Sequence, residues 1–543
     1  MIDNELVVKI LQKTTALLEI VGENPFRAKS FAIAAQNIAS FPESLESYVT
    51  KGIKPNIPGV GAGIWKEIVE LFKENTFQPM QEVLKILPPE LPELLNVPGI
   101  GPKKIQQLWI QAQITSPKEL LQACYENKLL NIKGFGEKSQ KNIQRALEFY
   151  LANQGFYHLH TAYALWDSFA QKFPYPVFPV GELRRFCPTI QQIEGLTKLN
   201  QTIDFQLDNW ILNVQNDDFA DFFSLDKQHH IRIYKSSSET FYKSYFLLTG
   251  SQIHIEAVLK ETELNFQSEE EIYQANGFTF VPPECREGIG ELENTEQKVA
   301  HLIDKKDVVG IFHAHTTWSD GANSLSEMVD ACQKNGYHYL GISDHSQSAF
   351  YANGLSIGRV TAQQEEIRSI NQKLTDFTVF SGIESDILPS GELDYPEEIL
   401  KTFDFVIASI HSSFNMNAEE ATRRLIKAIE NPYTRILGHP TGRLLLIRSG
   451  YPIHHQYIID ACAANHVAIE LNCNPYRLDI DWTWIPYMAE KNVLCVLSPD
   501  AHSLKGIQDI HWGVQVARKG MLAAEQCVNC WNTEEVRIWL TNK

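Results

Sequence analysis

From residue 308 to residue 502 the chain repeats one construction, a short apolar run that stops abruptly on a polar, ligand-type side chain. VVGIF (308–312) stops on His313-Ala-His315, YLGIS (339–343) on Asp344-His345, and FTVFSGI (377–383) on Glu384. FVIASI (405–410) stops on His411, TRILG (434–438) on His439, and VLCVLSP (493–499) on Asp500-Ala-His502. A seventh run, VAIELNC (467–473), is followed by Asn474. Runs this short and this apolar read as parallel strands buried on both faces. The segments between them carry helical periodicity, so the pattern predicts an α/β barrel or a doubly wound sheet. The strand ends then meet on one face, at the carboxyl edge where α/β barrels build their sites.

Asp320, in the loop after the first run, joins that face. Nine side chains converge: His313, His315, His345, His411, His439 and His502 with Asp320, Glu384 and Asp500. Six imidazoles and three carboxylates gathered together are costly unless a cation neutralises them. A mixed imidazole and carboxylate set without thiolate suits Zn²⁺, Mn²⁺ or Fe²⁺. Histidines elsewhere, such as His158 and His511, lack this placement and read as ordinary surface or core residues.

The first 150 residues have a different character. Amphipathic stretches such as FRAKSFAIAAQNIASF predict helices, and one pattern recurs three times: IPGVGAGIWKEI (57–68), VPGIGPKKIQQL (97–108) and IKGFGEKSQKNI (132–143). Each places Gly-x-Gly between an apolar residue and a polar helix start: Gly59 and Gly61, Gly99 and Gly101, Gly134 and Gly136. Two glycines allow a tight turn, and the next helix opens with unpaired N–H groups that suit a phosphate. Lys103, Lys104 and Lys138 lie where such a phosphate would be met. The three copies look like helix-hairpin-helix motifs, which bind the DNA backbone without reading sequence.

Charge supports that division. The whole chain of 543 residues carries −18, yet residues 1–150 hold 17 Lys and Arg against 16 Asp and Glu. Residues 151–290 hold 10 against 18, and residues 291–543 hold 21 against 32. The front of the chain is the part best able to approach a polyanion. No run approaches the roughly 18 apolar residues of a membrane span, and no signal pattern opens the chain, so a cytoplasmic protein without membrane contact is expected. Nine scattered cysteines form no disulfide framework, and the lone Cys527-x-x-Cys530 reads as two ordinary thiols.

HAHTTWSDG, GISDH, GIESDI, SIHSSF, GHPTGR and SPDAH resemble the motif set of the PHP (polymerase and histidinol phosphatase) phosphoesterases. That resemblance implies a distorted seven-stranded barrel with two or three divalent ions. It would assign His313, His315, Glu384 and Asp500 to one ion, Asp320, His345 and His502 to a second, and His411, His439 and shared Glu384 to a third. Together with VGELRR, LLTGSQIH and EEEIYQANGFTFVPPECREGIGE, the chain from end to end resembles the bacterial family X DNA polymerases, in which a polymerase-β-like core precedes a PHP domain.

That family reads roughly GSLRRGKETVGDIDLL in its palm, with two aspartates, and a third on a neighbouring strand, holding catalytic Mg²⁺. This chain reads GELRRFCPTIQQIEGL, so Glu182 stands for the phosphate-binding serine, and Gln192 and Glu194 for the aspartates. Arg232 falls at the third carboxylate position, and Leu247-Leu248 replace the aromatic pair before Thr249-Gly250-Ser251. Such a palm is expected to keep its fold and lose polymerase chemistry.

The expected organisation is a helical domain over 1–85, helix-hairpin-helix fingers over 86–152, a degenerate nucleotidyltransferase palm and thumb over 153–290, a linker over 291–305 and a metallo-phosphoesterase barrel over 306–543. The expected activity is cleavage of DNA phosphodiesters by a metal-activated water, with Arg443 and Arg477 as phosphate clamps. A 3′→5′ exonuclease in DNA repair leads, and apurinic-site endonuclease is a variant of the same chemistry. The rivals are a phosphatase acting on a small metabolite and a non-catalytic DNA-binding scaffold. A monomer is expected.

Overall fold

A computed structural model describes residues 2–22, 25–199, 201–225, 227–260 and 265–542. The chain forms two compact units, Met1–Gln154 and Gly155–Lys543. The expected boundary at 85/86 falls inside the first, and those at 290/291 and 305/306 inside the second.

The first unit is helical. Helix α1 (Asn4–Val21) opens with Asp3 accepting from the Leu6 N–H and closes on Gly22 in the left-handed region, and it packs on Pro25–Ala39. Three later helices follow the repeated hairpins: α2 (Ala62–Glu74), α3 (Pro102–Ala112) and α4 (Glu137–Ala152). The apolar residue of each hairpin, Val60, Ile100 and Phe135, is buried in a common core with Ile57, Val97 and Ile132. Burying those residues fixes each turn while its glycines stay at the surface.

The second unit opens with a five-stranded mixed sheet. Its strands are β1 (Val177–Pro179), β2 (Ile193–Thr197), β3 (Trp210–Gln215), β4 (Phe219–Ser224) and β5 (His230–Lys235), in the order β1-β2-β5-β4-β3. Only β2 and β5 run parallel.

Seven parallel strands follow: β6 (Gly310–Ala314), β7 (Tyr339–Ile342), β8 (Thr378–Asp386), β9 (Phe405–Ser409), β10 (Thr434–Leu437), β11 (Ala468–Asn472) and β12 (Cys495–Ser498). They lie in simple sequence order, and a parallel bridge between Ala314 and Ala501 joins the first to the segment after the last. At the far end of this seam Asn529 donates to the Gly310 and Leu497 carbonyls and accepts from the Leu497 N–H, at 2.7–3.0 Å. The curved sheet is therefore a nearly closed barrel, as the strand pattern predicts.

Large rings fill the barrel interior because glycines on neighbouring strands leave room. A Cβ on Gly382 would meet the Phe405 ring at 2.2 Å, and one on Gly310 the Tyr339 ring at 2.0 Å. Phe312, Tyr339, Phe380, Phe405, Ile407 and Ile436 form this plug, with Val528 and Val536 from the C-terminal segment. Polar ligands can gather only above it, at the carboxyl ends. The palm sheet packs on the outside of the barrel in one hydrophobic core and is clasped to it by partly buried ion pairs. Arg185 meets Glu287 at 2.7 Å, Arg518 meets Glu284 at 2.6 Å, and buried Lys519 reaches the same Glu287. Among the described residues no helix is long and apolar enough to cross a membrane.

Candidate metal centre and nucleic-acid interface

All nine expected ligands come together at the carboxyl end of the barrel, with Glu384 at the hub. His345 and His439 lie 3.0 Å from its oxygens, His411 at 3.1 Å, His313 at 3.3 Å and His315 at 3.6 Å. Asp500 lies 3.1 Å from His315 and 3.5 Å from His313. Asp320 stands 3.4 Å from His502 and 3.7 Å from His345, and these outer residues stay partly exposed, 32% for Asp320 and 41% for His502. The mouth of the site is therefore on the Asp320–His502 side.

Three of the inward turns need an unusual backbone. His313, His439 and Asp500 have φ of +62°, +21° and +53°, in the left-handed region that non-glycine residues seldom adopt. At His313 the pairing of β6 with β7 also slips by a bulge. Strained, bulged strand ends are a common device for re-aiming side chains at sites.

The cluster fits cations. His313 Nε2, His315 Nδ1, His345 Nδ1, His439 Nδ1 and Glu384 Oε2 are buried without a hydrogen-bond partner. So many orphaned ligand atoms are expensive unless they face an ion. Three sets have ligand atoms mutually within 4.8 Å: His315, Asp320, His345 and His502; His313, His315 and Asp500; and His345, Glu384 and His411. This grouping differs from the expected one. His315 and His345 each belong to two sets, whereas His439 belongs to none of the three, although it lies 3.0 Å from Glu384 and its ring is 5.1 Å from that of His411.

Protonation follows from the same packing. Burial opposes the charge on Glu384, yet His411, His313 and His345 together hold its carboxyl well below the usual range. Asp500 is held low in the same way, against its burial, by His313, His315 and His502. Burial and the neighbouring His502 and His345 drive His315 down to about 3, so it stays a neutral ligand.

A second layer orients the first and was not singled out by the sequence reading. Glu470, inside β11, accepts from His313 Nδ1 at 2.6 Å, from the His439 N–H at 3.0 Å and from Asn472 at 2.9 Å. Asp386 accepts from His411 Nδ1 at 2.5 Å. Asp344 accepts from the Thr316 N–H and hydroxyl and from Ser319 and Gln363, so it shapes the loop that carries Asp320. Such partners fix the tautomer and aim of ligating imidazoles. Strand β11 thus serves the site through Glu470 and Asn472. A carboxylate in the middle of an otherwise apolar strand was the available signal.

The two expected phosphate clamps part company. Arg443 lies 2.6 Å from Asp481 and donates to the backbone carbonyls of Arg477 and Leu478, so all three of its nitrogens are engaged in holding the 477–481 loop. These bonds tie Arg443 to that loop. Arg477 reaches the site edge, with Nε 3.6 Å from Asp500 Oδ2.

The palm positions differ from a metal site. Arg232 donates to Asp221 at 2.8 and 2.9 Å, its direct partner across β4 and β5, and His230 meets the same carboxylate at 2.9 Å. Tyr234 donates to Glu194 at 2.8 Å, and burial raises the Glu194 pKa. Glu182 accepts from the Gln191 N–H at 2.6 Å, and Gln192 lies half-buried just before β2. Among the described residues, the metal-capable sets all lie in the barrel.

The three hairpins share one backbone. Gly59, Gly99 and Gly134 have φ of +78°, +84° and +94°, while Gly61, Gly101 and Gly136 are extended N-caps without a side-chain cap. The opening amides of α2, α3 and α4 therefore lack a side-chain acceptor. Around Gly61, Gly99, Gly101, Gly134 and Gly136 a Cβ would meet nothing within 4 Å, so a strand backbone can approach; Gly59 instead packs on Ile33. Lys103 and Lys138 are exposed. Lys104 is tied back to the Gly99 carbonyl at 3.2 Å.

Comparison with known proteins agrees with this division. A helix-hairpin-helix domain model matches residues 2–77, a SAM-like helix-hairpin-helix tandem residues 91–148 and the PHP domain residues 312–474. A "DNA polymerase/3'-5' exonuclease PolX" from Bacillus subtilis (strain 168) is 31% identical over 571 residues, covering 98% of each chain. The chain belongs to the PolX family. Two proteins named probable phosphatases, from Caldicellulosiruptor bescii and Caldanaerobacter subterraneus subsp. tengcongensis, are 35% and 30% identical to 30% of this chain, covering 63% and 60% of their own lengths. As a PolX-family chain with a PHP barrel, it is a metal-dependent phosphoesterase type of enzyme joined to DNA-binding hairpins.

Proposed function

We propose that the protein is a 3′→5′ exonuclease that trims DNA ends in repair, as a cytoplasmic monomer whose palm no longer polymerises. The carrying observation is the Glu384 hub, five imidazoles around one buried carboxylate, on a chain that also presents three open hairpin amide cradles. Two or three Mn²⁺ or Zn²⁺ ions held by the nine ligands would supply Lewis acidity, acidifying water and offsetting charge that builds on phosphoryl oxygens. Glu470 and Asp386 keep the His313 and His411 protons on Nδ1, leaving Nε2 free as a ligand atom. Arg477, beside Asp500, orients a phosphate at the edge of the site. The amide cradles hold the DNA backbone and confer no base preference.

For the palm, the support is chemical. Two-metal nucleotidyl transfer needs acidic ligands around Mg²⁺, and here the Arg232 guanidinium already neutralises Asp221. Incubating the protein with Mn²⁺, a 5′-labelled primer-template and all four dNTPs tests both halves. Shortening that ignores dNTPs and vanishes in His313→Ala supports the reading, and extension refutes the silent palm. An untouched primer combined with hydrolysis of small phosphomonoesters would replace it by the phosphatase reading, which the barrel's likeness to probable phosphatases favours.

A further inference from the structure

The lip of the metal centre carries two adjacent aromatic side chains that nothing among the described residues covers. Phe350 is 89% exposed and Tyr351 70% exposed. Single exposed rings are ordinary on protein surfaces, but two neighbours beside a polar pocket are not explained by chance exposure. The Tyr351 ring lies 6.0 Å from that of His345 and 6.5 Å from that of His411, steeply inclined to both. It therefore stands at the very edge of the ligand cluster.

The turn that displays the pair, Phe350–Ala352, is held firmly. Ala349 and Ala352 on either side are buried, and the Leu355 N–H returns to the His345 carbonyl at 2.8 Å. Arg359 donates to the Asn353 carbonyl at 2.7 Å, and Ser348 donates to Asp386, the orienter of His411, at 2.9 Å. A Cβ on Gly354 would lie 1.9 Å from the Ser346 carbonyl oxygen, so the chain doubles back too closely for any other residue. Rigid rings offered to solvent lose little conformational freedom when something stacks on them.

We infer that Phe350 and Tyr351 form a stacking platform for the base of the terminal unpaired nucleotide, and so select single-stranded or frayed 3′ ends. This rests on the exonuclease reading above. The occupant follows from position: a nucleoside flanks any phosphodiester seated at the ligand cluster, and its base must go beside the site. Every base has a π-face, so stacking fits a protein whose hairpins bind backbone without sequence preference. A base still stacked in a duplex cannot reach the platform, which sets the strand preference.

The test compares a single-stranded oligonucleotide ending in an ordinary nucleotide with the same strand ending in a tetrahydrofuran residue that lacks the base. Base stacking should favour the first by about 5- to 150-fold in kcat/KM for the wild type. The Phe350→Ala/Tyr351→Ala double variant should lose that preference while cleaving the base-less end at the wild-type rate, and Phe350→Tyr and Tyr351→Phe should keep it. A terminal 2-aminopurine should be quenched on binding to wild type and stay bright with the double variant. Equal cleavage of both ends by wild type, or equal slowing of the variant on both, overturns the platform alone. Cleavage of neither end by wild type overturns the exonuclease reading beneath it.

Discussion

Glu470→Gln should disable the metal centre while leaving the protein folded. Glu470 serves three donors: its Oε1 accepts from the His439 N–H and Asn472, and its Oε2 accepts from His313 Nδ1. Glutamine keeps the shape but has one acceptor oxygen. Two partners hold that oxygen on the Oε1 side, so the new NH₂ faces His313 Nδ1. Two donors cannot bond, and the imidazole answers by moving its proton to Nε2. That nitrogen lies 3.3 Å from Glu384 and 3.5 Å from Asp500, in the ligand cluster, and a protonated nitrogen cannot bind an ion. Loss of an orienting partner of this kind lowers metal affinity or activity about 10- to 100-fold, or roughly 1.4–2.8 kcal/mol. Calorimetric titration of chelator-stripped protein with Mn²⁺ reads the affinity directly, and denaturant unfolding in chelator checks that the fold persists. An isotherm that overlays the wild type would refute the tautomer argument. An unchanged affinity with altered unfolding would make Glu470 a purely structural residue.

Other substitutions separate stability from recognition. Asn529→Ala leaves the Gly310 and Leu497 carbonyls and the Leu497 N–H unpaired at the barrel seam; at about 1–2 kcal/mol each the loss is roughly 3–6 kcal/mol, seen as a lower denaturant midpoint. Gly136→Asp should raise helix stability slightly, because aspartate is the better N-cap, yet weaken DNA binding about tenfold and reduce the salt slope by about one, since a carboxylate now occupies the phosphate cradle. Equal or tighter binding in a salt titration would remove that hairpin from the interface. Burial, and then the nearby Asp500 charge, push Asp509 up to about 7 despite the opposing Lys505. Its folded form keeps a proton that the unfolded chain has released, so the contribution of Asp509 to stability falls as pH climbs from about 4 to about 7 and levels above. Asp509→Asn lacks that slope, and chemical denaturation at several pH values would show the two curves diverging across this window.

The strands and the nine side chains that cluster at their ends were legible because two strong patterns coincide in them: continuous apolarity, which demands burial on both faces, and an abrupt polar stop. The hairpins were legible by repetition. What stayed hidden is whatever needs a partner distant in sequence. Glu470 sits 157 residues from His313, and within VAIELNC it reads as a flaw in a strand rather than as a support. Asp386 and Asp344 lie beside ligands in the motifs, but only the fold shows which imidazole or loop each one aims. Arg443 follows a strand end like a clamp, and only the fold shows that each of its three nitrogens holds the 477–481 loop. In the palm, the sequence shows the missing aspartates but not that Asp221, on another strand, gives Arg232 its partner. The grouping of the clustered side chains is likewise a matter of distances, and the membership of His315 and His345 in two groups each could not be read from spacing.

The closing of the barrel seam has a consequence for the order of events during synthesis. His313 leaves the ribosome first of the nine, but Asp500 and His502 come nearly two hundred residues later, and Asn529, which ties the last strand to the first, later still. The helical unit, by contrast, is complete by Gln154 and contiguous in the chain. Domains generally fold as units from the amino end as the chain emerges. A growing chain would thus complete its hairpin unit well before its barrel can gather the side chains of the metal centre.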